Sequence, residues 1–337
     1  MSAPLFLFYE EPDPDRWFTG DRHVRRVIRR LLRGPHKPGG VMRWYLNLRT
    51  GLDRLGVSYR VNDYKGLRRT PGAVAHVVGK PHVVDLIPPG HPIVYGPGVA
   101  AHPYENDFWG RADIALLLVS CDWFKAMYDR DLPRPIPSAV WPAGVETDLW
   151  APPAARPSKK VLVYDKIRWR RDDYGPSLLQ PIFDRLKAEG RDYVHLRYGH
   201  YEEEDFRRLL QEVSAMVFLC EHETQGFAYL QTLSCGVPIL AWDRGGDWQD
   251  PSLYPDRVRF GPVTSVPYFD SRCGERFADA AQFQEKLGPF LGRVDAGSYQ
   301  PRNYVVEHFD LAARARAYLD LASAYLDLAS AVSTRRA

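Results

Sequence analysis

The sequence is poor in most features that would take it out of the ordinary globular class. Its 337 residues hold four cysteines, Cys121, Cys220, Cys235 and Cys273, and none pair at the spacing of a zinc site or a disulfide frame. Three of them sit in or beside apolar runs, so they read as reduced core thiols of a cytosolic protein. No apolar run approaches the roughly 20 residues of a membrane span. Pro4 to Tyr9 is apolar but too short for a secretory leader, and Glu10 and Glu11 follow it. Excess charge is also missing. Lys and Arg number 45 against 42 Asp and Glu, a net +3 with a pI near 8.6. That balance excludes a strongly basic nucleic-acid binder on bulk charge. The Asp-x-Asp pairs Asp13/Asp15 and Asp129/Asp131 read as loop and helix-end residues without the strand context a metal site wants, so no metal site is expected.

What remains is a chain long enough for two domains, each with its own core. Runs of strand and helix alternate along it, which argues a mostly parallel, doubly wound α/β sheet. One stretch, Ser214 to Gly246, carries the densest signal. Ala215 to Cys220 is a short apolar run without helical spacing, hence a buried strand. Glu221 to Gln225 is a polar, acidic loop. Phe227 to Ser234 is helix-compatible, and Gly236 ends it. Val237 to Trp242 is a second buried strand, and Asp243 to Gly246 a turn. Ligands of open α/β sheets sit outside the carboxyl ends of strands. Here those ends carry Glu221, His222 and Glu223, then Asp243, Arg244, Gly245 and Gly246. The N-terminus of the helix near Gly226 and Phe227 favours an anion such as a diphosphate. A carboxylate there suits the hydroxyls of a sugar attached to it.

This stretch resembles the signature of the retaining GT-B glycosyltransferases of family 4. That signature has a Glu, seven residues, a second Glu, a small-Cys-Gly-Val-Pro segment and a Gly-Gly turn. In this chain the positions are Glu223, Gln231, Ser234 to Pro238 and Gly245-Gly246. The resemblance implies that Glu223 contacts the donor sugar and that Gln231 reaches the nucleotide ribose. Gln231 departs from the usual Glu: it is neutral and carries donors as well as acceptors. The resemblance also implies a GT-B fold, two Rossmann-like domains facing across a cleft.

Other segments carry further parts of the resemblance. Gly39-Gly40, at the start of a helix from Val41 to Leu55, is similar to the Gly-Gly turn of the N-terminal GT-B domain and is expected to face the donor. His102, after a strand at Pro92 to Tyr95, is expected to be the cleft histidine, with a structural or surface histidine as the alternative. His36, His82 and His91 are weaker rivals. Arg111 to Trp150 resembles the last strand–helix–strand of that domain, closing on Pro142-Ala143-Gly144-Val145 where the family has Pro-Asn-Gly-Val. The proline-rich Ala151 to Ser158 reads as a fairly stiff linker. The expected domains are therefore 1–150, which takes the acceptor, and 159–308, which binds the nucleotide sugar. A C-terminal helix, 309–337, is expected to pack back toward the first.

The second domain opens with a strand at Lys160 to Tyr164. Lys166, Arg168, Arg170 and Arg171 follow it, four cations in a six-residue stretch. In the family an Arg and a Lys five residues apart clamp the diphosphate. Lys166 and Arg171 have that spacing with identities exchanged, and Arg168 is a substitute. Arg grips phosphate bidentately and Lys acts as a point charge. A solvated basic turn is the alternative. Further elements are expected as a helix at Leu178 to Glu189, a strand at Tyr193 to Tyr198, a helix at Glu202 to Val213, a strand at Val258 to Phe260 and a helix at Ala278 to Leu291. The helix from Leu311 to Ser330 repeats AYLDLAS twice, too few copies for a repeat architecture. Its Leu and Tyr stripe serves core packing or dimer contacts; the oligomeric state is not legible.

The activity implied is transfer of a sugar from a nucleotide-diphosphate sugar to a saccharide, lipid-linked or small-molecule acceptor. The resemblance implies retention, with the leaving phosphate taking the acceptor proton. The cations make a metal or other cofactor unnecessary. No nucleic-acid partner is expected. The amphipathic helix expected at Asp21 to Arg33 allows peripheral contact with the inner face of a membrane through Arg25 to Arg33. Its shortness and lack of an apolar-face Trp favour a core-covering helix instead. A binding-only GT-B subunit is the rival class, supported by Gln231 and Ala143. A nucleotide-sugar epimerase would need acid–base groups that the sequence does not place.

Overall fold

The computed structural model describes residues 4–12, 39–155 and 158–336, with side chains through Leu326. The expected Asp21–Arg33 helix, its membrane contact and Asp13/Asp15 lie outside these residues. The chain divides into two compact units. One comprises Met1–Ser120, Phe124–Ala143 and Leu311–Ala337; the other comprises Cys121–Trp123 and Gly144–Asp310. Gly144 to Trp150 thus groups with the second unit, and the C-terminal helix with the first.

The first unit is built on six parallel strands in the order β2-β1-β3-β4-β5-β6. They are β1 (Leu5–Phe8), β2 (Tyr59–Val61), β3 (Ala75–Val77), β4 (Ile93–Tyr95), β5 (Ile114–Val119) and β6 (Ser138–Val140). Parallel strands covered on both faces need apolar residues at successive positions, as Leu116-Leu117-Leu118-Val119 supplies. The helix Gly40–Arg54 packs closely on the helix Leu311–Arg336. A Cβ on Gly51 would come within 2.3 Å of the Leu311 carbonyl oxygen. Tyr318 from the latter helix is buried and its hydroxyl meets His76 Nδ1 at 3.0 Å.

The second unit has five parallel strands in the order β11-β10-β9-β7-β8. They are β7 (Val161–Lys166), β8 (Tyr193–Arg197), β9 (Ala215–Cys220), β10 (Ile239–Trp242) and β11 (Gly274–Phe277). Lys166 is therefore the last residue of a strand and not part of the loop after it. The expected strand at Val258 to Phe260 is absent. Val258 N–H bonds to Leu253 within a turn, and the Phe260 carbonyl accepts from Trp248 N–H at 2.8 Å. The outer strand is Gly274–Phe277, whose mixed sequence gives no strand period. Gly274 is required there: at φ +139° a Cβ would lie 1.9 Å from the Ile239 carbonyl oxygen of β10.

Each sheet has one place where the strand order reverses. In the second unit β7 runs to β8 on one side, and β9 returns to the other side of β7. In the first unit β1 lies between β2 and β3 in the same way. At such a point the two connections leave in opposite directions and open a crevice at the carboxyl ends.

Candidate active site

The crevice of the second unit lies between the ends of β7 and β9. Lys166 ends β7, and its ammonium contacts the Glu223 carboxylate directly. Both side chains are 14% exposed. Burial works against the charge on each. The attraction between them more than offsets it: Lys166 is held above its ordinary pKa and Glu223 below, with Arg168 also acting on Glu223. The ammonium also lies 4.7 Å from the Tyr198 ring centroid. Glu223 is fixed along its backbone. Its N–H bonds to the Thr264 carbonyl, and its own carbonyl accepts from the Trp123 indole N–H, each at 3.0 Å.

The helix Phe227–Ser234 starts four residues later. Gly226 sits before it in the left-handed region, at φ +69°. A Cβ there would meet the buried Tyr229 ring at 1.9 Å and Glu223 Cγ at 3.0 Å. Only glycine lets the loop from Glu223 turn into the helix this tightly. Phe227 opens the helix half-buried; Gln231, one turn on along the same face, is buried.

The cations after β7 divide. Arg171 does not face Glu223. Its guanidinium grips Asp165, with Nη1 to Oδ1 at 3.0 Å. His195 Nε2 meets the same buried carboxylate at 2.9 Å. Burial opposes ionisation of Asp165, but His195 and Arg171 overcome it and hold its pKa far below the usual range. Arg168 points the other way. It lies 4.1 Å from the Trp169 ring centroid and reaches the His222 carbonyl at 3.5 Å. Lys166, Arg168 and Glu223 are thus brought together, and Arg171 is engaged elsewhere.

Two residues named above only as polar loop residues acquire definite places. Glu221 is buried, and its Oε1 accepts from the N–H groups of Arg168 and Trp169, both at 2.8 Å. His222 is buried among Trp169, Trp123 and Trp248, at centroid distances of 5.1, 5.6 and 6.3 Å. Its Nε2 has no partner among the described residues. Burial, then the charges of Arg168, Arg244 and Lys166, push its pKa well down, so the imidazole is neutral. Sequence gives no sign of this indole enclosure, because its members are 46 to 125 positions apart.

In the first unit, His102 is fully buried with both ring nitrogens engaged. Nε2 meets Asp131 at 2.7 Å, and Nδ1 accepts from Tyr104 N–H at 3.2 Å. Gly39 precedes the helix Gly40–Arg54, and a Cβ on either glycine would meet no other element within 4 Å among the described residues. The reversal point of this unit, between β1 and β3, is bridged by Lys80 and Glu11 at 2.6 Å. Lys80 holds a left-handed φ of +53°, unusual for a residue with a Cβ. The Tyr9 ring stacks on Tyr45 at 4.6 Å beneath it. Among the described residues no cluster of metal-binding side chains occurs, and no helix is long and apolar enough to cross a membrane.

No protein-family model and no curated protein matches this chain. Solved structures do match. TarM of S. aureus aligns with a TM-score of 0.53 at 10% identity, over 82% of this chain and 58% of that one. Sucrose-phosphate synthase from Thermosynechococcus elongatus aligns at 0.50 and 13% identity, over 98% and 100%. The pneumococcal O-GlcNAc transferase GtfA, solved in complex with UDP and GlcNAc, aligns at 0.50 and 10%, over 78% and 59%. The chain thus spans a little over half the length of TarM and GtfA. At these identities the likeness is one of fold. The two parallel-sheet units have the GT-B architecture of glycosyltransferases.

Proposed function

We propose that this chain is a glycosyltransferase that takes a sugar from a nucleotide-diphosphate sugar. The acceptor is a saccharide, a lipid-linked or a small hydroxylated molecule. The observation that carries this reading is the Lys166–Glu223 pair at the β7/β9 reversal point. A cation and a carboxylate there, ahead of a helix N-terminus, match the diphosphate and the adjoining sugar of such a donor. Lys166 and Arg168 take the diphosphate, with the backbone N–H groups near Gly226 and Phe227. Their charge stabilises the departing diphosphate, a large term in sites of this kind. Because the chain supplies these cations, the reading requires no metal. Glu223 accepts from sugar hydroxyls, and Gln231 from or to the ribose. Arg171 acts by bracing Asp165, and His102 by holding its loop to Asp131, so neither is assigned a contact with donor. The acceptor is assigned to the first unit, at the β1/β3 crevice with Glu11, Lys80 and Tyr9. Retention, with the leaving phosphate as proton acceptor, follows from the family resemblance.

One feature favours a second reading. Lys166 and Glu223 hold each other in the free protein, as they would in a subunit that binds nucleotide sugars without turning them over. Calorimetry against UDP, GDP, ADP and their sugar conjugates, with and without EDTA, tests the first step. One nucleotide should bind selectively, without metal, and lose affinity in Lys166→Ala. A folded protein that binds none of them would falsify the donor site. Slow release of free sugar from the bound donor separates the enzyme from the binding-only subunit.

A further inference from the structure

The loop between β7 and Arg171 carries the cations assigned to the diphosphate, yet little of it is buried. Arg168 and Arg170 are exposed, and Trp169 is half-buried. Ile167 at its start is buried and bonds through its N–H to Asp165; beyond it, the loop is held by a carboxylate that follows another strand. Glu221, 1% exposed, follows β9 and reaches across the reversal point. Its Oε1 accepts from two consecutive N–H groups of the loop, Arg168 and Trp169, each at 2.8 Å. Its Oε2 is buried without a hydrogen-bond partner among the described residues. Burying a carboxylate is costly unless it is well paired. Two charge-assisted bonds are among the stronger protein hydrogen bonds, but among the described residues no side-chain cation forms an ion pair with this carboxylate, and Arg171 acts on it only from a distance. An Asn or Ser would close the loop at lower desolvation cost.

The bonds have a directional consequence. With the Arg168 peptide held in this way, its guanidinium lies over the Trp169 ring, 4.1 Å from the centroid, and reaches the His222 carbonyl at 3.5 Å. Glu221 and Glu223 flank His222 on one short segment. Through Glu221 the segment holds the Arg168 loop, and through Glu223 it holds Lys166. We infer that Glu221 is a positioning residue of the donor site, acting through Arg168 to aim its guanidinium at the diphosphate. This rests on the donor reading above and adds a residue that contacts no ligand itself.

The test is a double-mutant cycle read by calorimetry with whichever nucleoside diphosphate the wild type binds. Glu221→Leu should weaken that binding by about tenfold, because an unaimed Arg loses a charge-assisted bond. Glu221→Gln, which keeps an acceptor oxygen, should stay within about threefold of wild type. In an Arg168→Ala background, Glu221→Leu should cost less than about threefold, since contacting or coupled residues are not additive. An equal loss in both backgrounds, or no loss, would overturn the inference and leave the donor site standing. If the wild type binds no nucleotide, the donor reading itself has failed, and this inference with it. Should Glu221→Leu not fold, Glu221→Asp serves. It withdraws the carboxylate by one methylene and should weaken binding only where Arg168 is present.

Discussion

Lys166 and Glu223 hold each other across the β7/β9 reversal point, one at the end of a strand and the other three residues past its neighbour. The pair keeps both side chains ionised and locates them within reach of one ligand. It also means that a donor must compete with, or insert between, groups that already satisfy each other. Removing either one leaves the other buried charge unpaired. Lys166→Ala is therefore expected to weaken nucleoside diphosphate binding by about 10- to 100-fold, the worth of one charged hydrogen bond. Glu223→Gln should leave binding of the bare diphosphate unchanged or tighter, and abolish the extra affinity of the sugar conjugate. Calorimetry with both ligand forms reads the two effects separately.

Arg171 should behave differently from Lys166. Its guanidinium is spent on Asp165, which is buried, while the Arg itself is 30% exposed. Arg171→Ala strips a buried carboxylate of its main cation, leaving His195. After discounting for the exposed side of the pair, a loss of about 2 kcal/mol is expected. Urea unfolding should show it. In the folded fraction, nucleotide affinity should change by less than about threefold. A loss of affinity equal to that of Lys166→Ala would return Arg171 to the diphosphate.

Gly226→Ala should be among the most damaging single-methyl changes in the chain. It combines a left-handed backbone with a Cβ 1.9 Å from the Tyr229 ring, which is itself buried. About 3 kcal/mol of stability is expected to go, part from the backbone and part from overpacking. Thermal unfolding measures this, and nucleotide binding should weaken with it, because Glu223 Cγ is the next atom in the way.

Acid should destabilise the fold before any carboxylate is protonated. His76 is buried against Tyr318, and burial lowers its pKa from 6.5 to about 4. The unfolded chain therefore takes up a proton below pH 6.5 that the folded chain refuses. Stability is complete above that pH and falls as pH drops toward the folded pKa, by about 2 kcal/mol at pH 5. His222 and His102 are displaced in the same direction, by burial first, and add to the slope. Urea midpoints at pH 8, 6 and 5 should fall in wild type and fall less steeply in His76→Phe. An equal slope in both would show that His76 is not the source.

Much of this fold is legible in the sequence. Buried parallel strands announce themselves as short apolar runs, which is why Ala215–Cys220 stands where the pattern put it, and the helix Phe227–Ser234 stands between the polar loop and the glycine that bound it in the sequence. The strand at Gly274–Phe277 does not announce itself, because one apolar residue in four gives no period. Val258–Phe260 misled for the opposite reason: its β-branched and aromatic residues lie in an irregular segment between a turn and Gly261-Pro262, bonded to Leu253 and Trp248 and to no strand.

Composition and order along the chain determined the class of fold, the place of the helix N-terminus at Gly226 and the concentration of charge at the strand ends. These are local matters, set by side-chain period, backbone freedom and charge within a few residues. The sequence could not decide which charge meets which. Lys166 and Arg171 look equivalent in one basic run, but the strand runs to Lys166 and sends it toward Glu223, and Arg171 is turned back onto Asp165. Glu221, His222 and Glu223 are three consecutive polar residues; one holds a loop, one is enclosed by indoles and one faces the ammonium. The contacts of Glu221 and Glu223 depend on segments more than 50 positions apart meeting at one end of a sheet. Coulomb forces and hydrogen bonds act over a few ångströms of space, and only the strand order sets which residues share it.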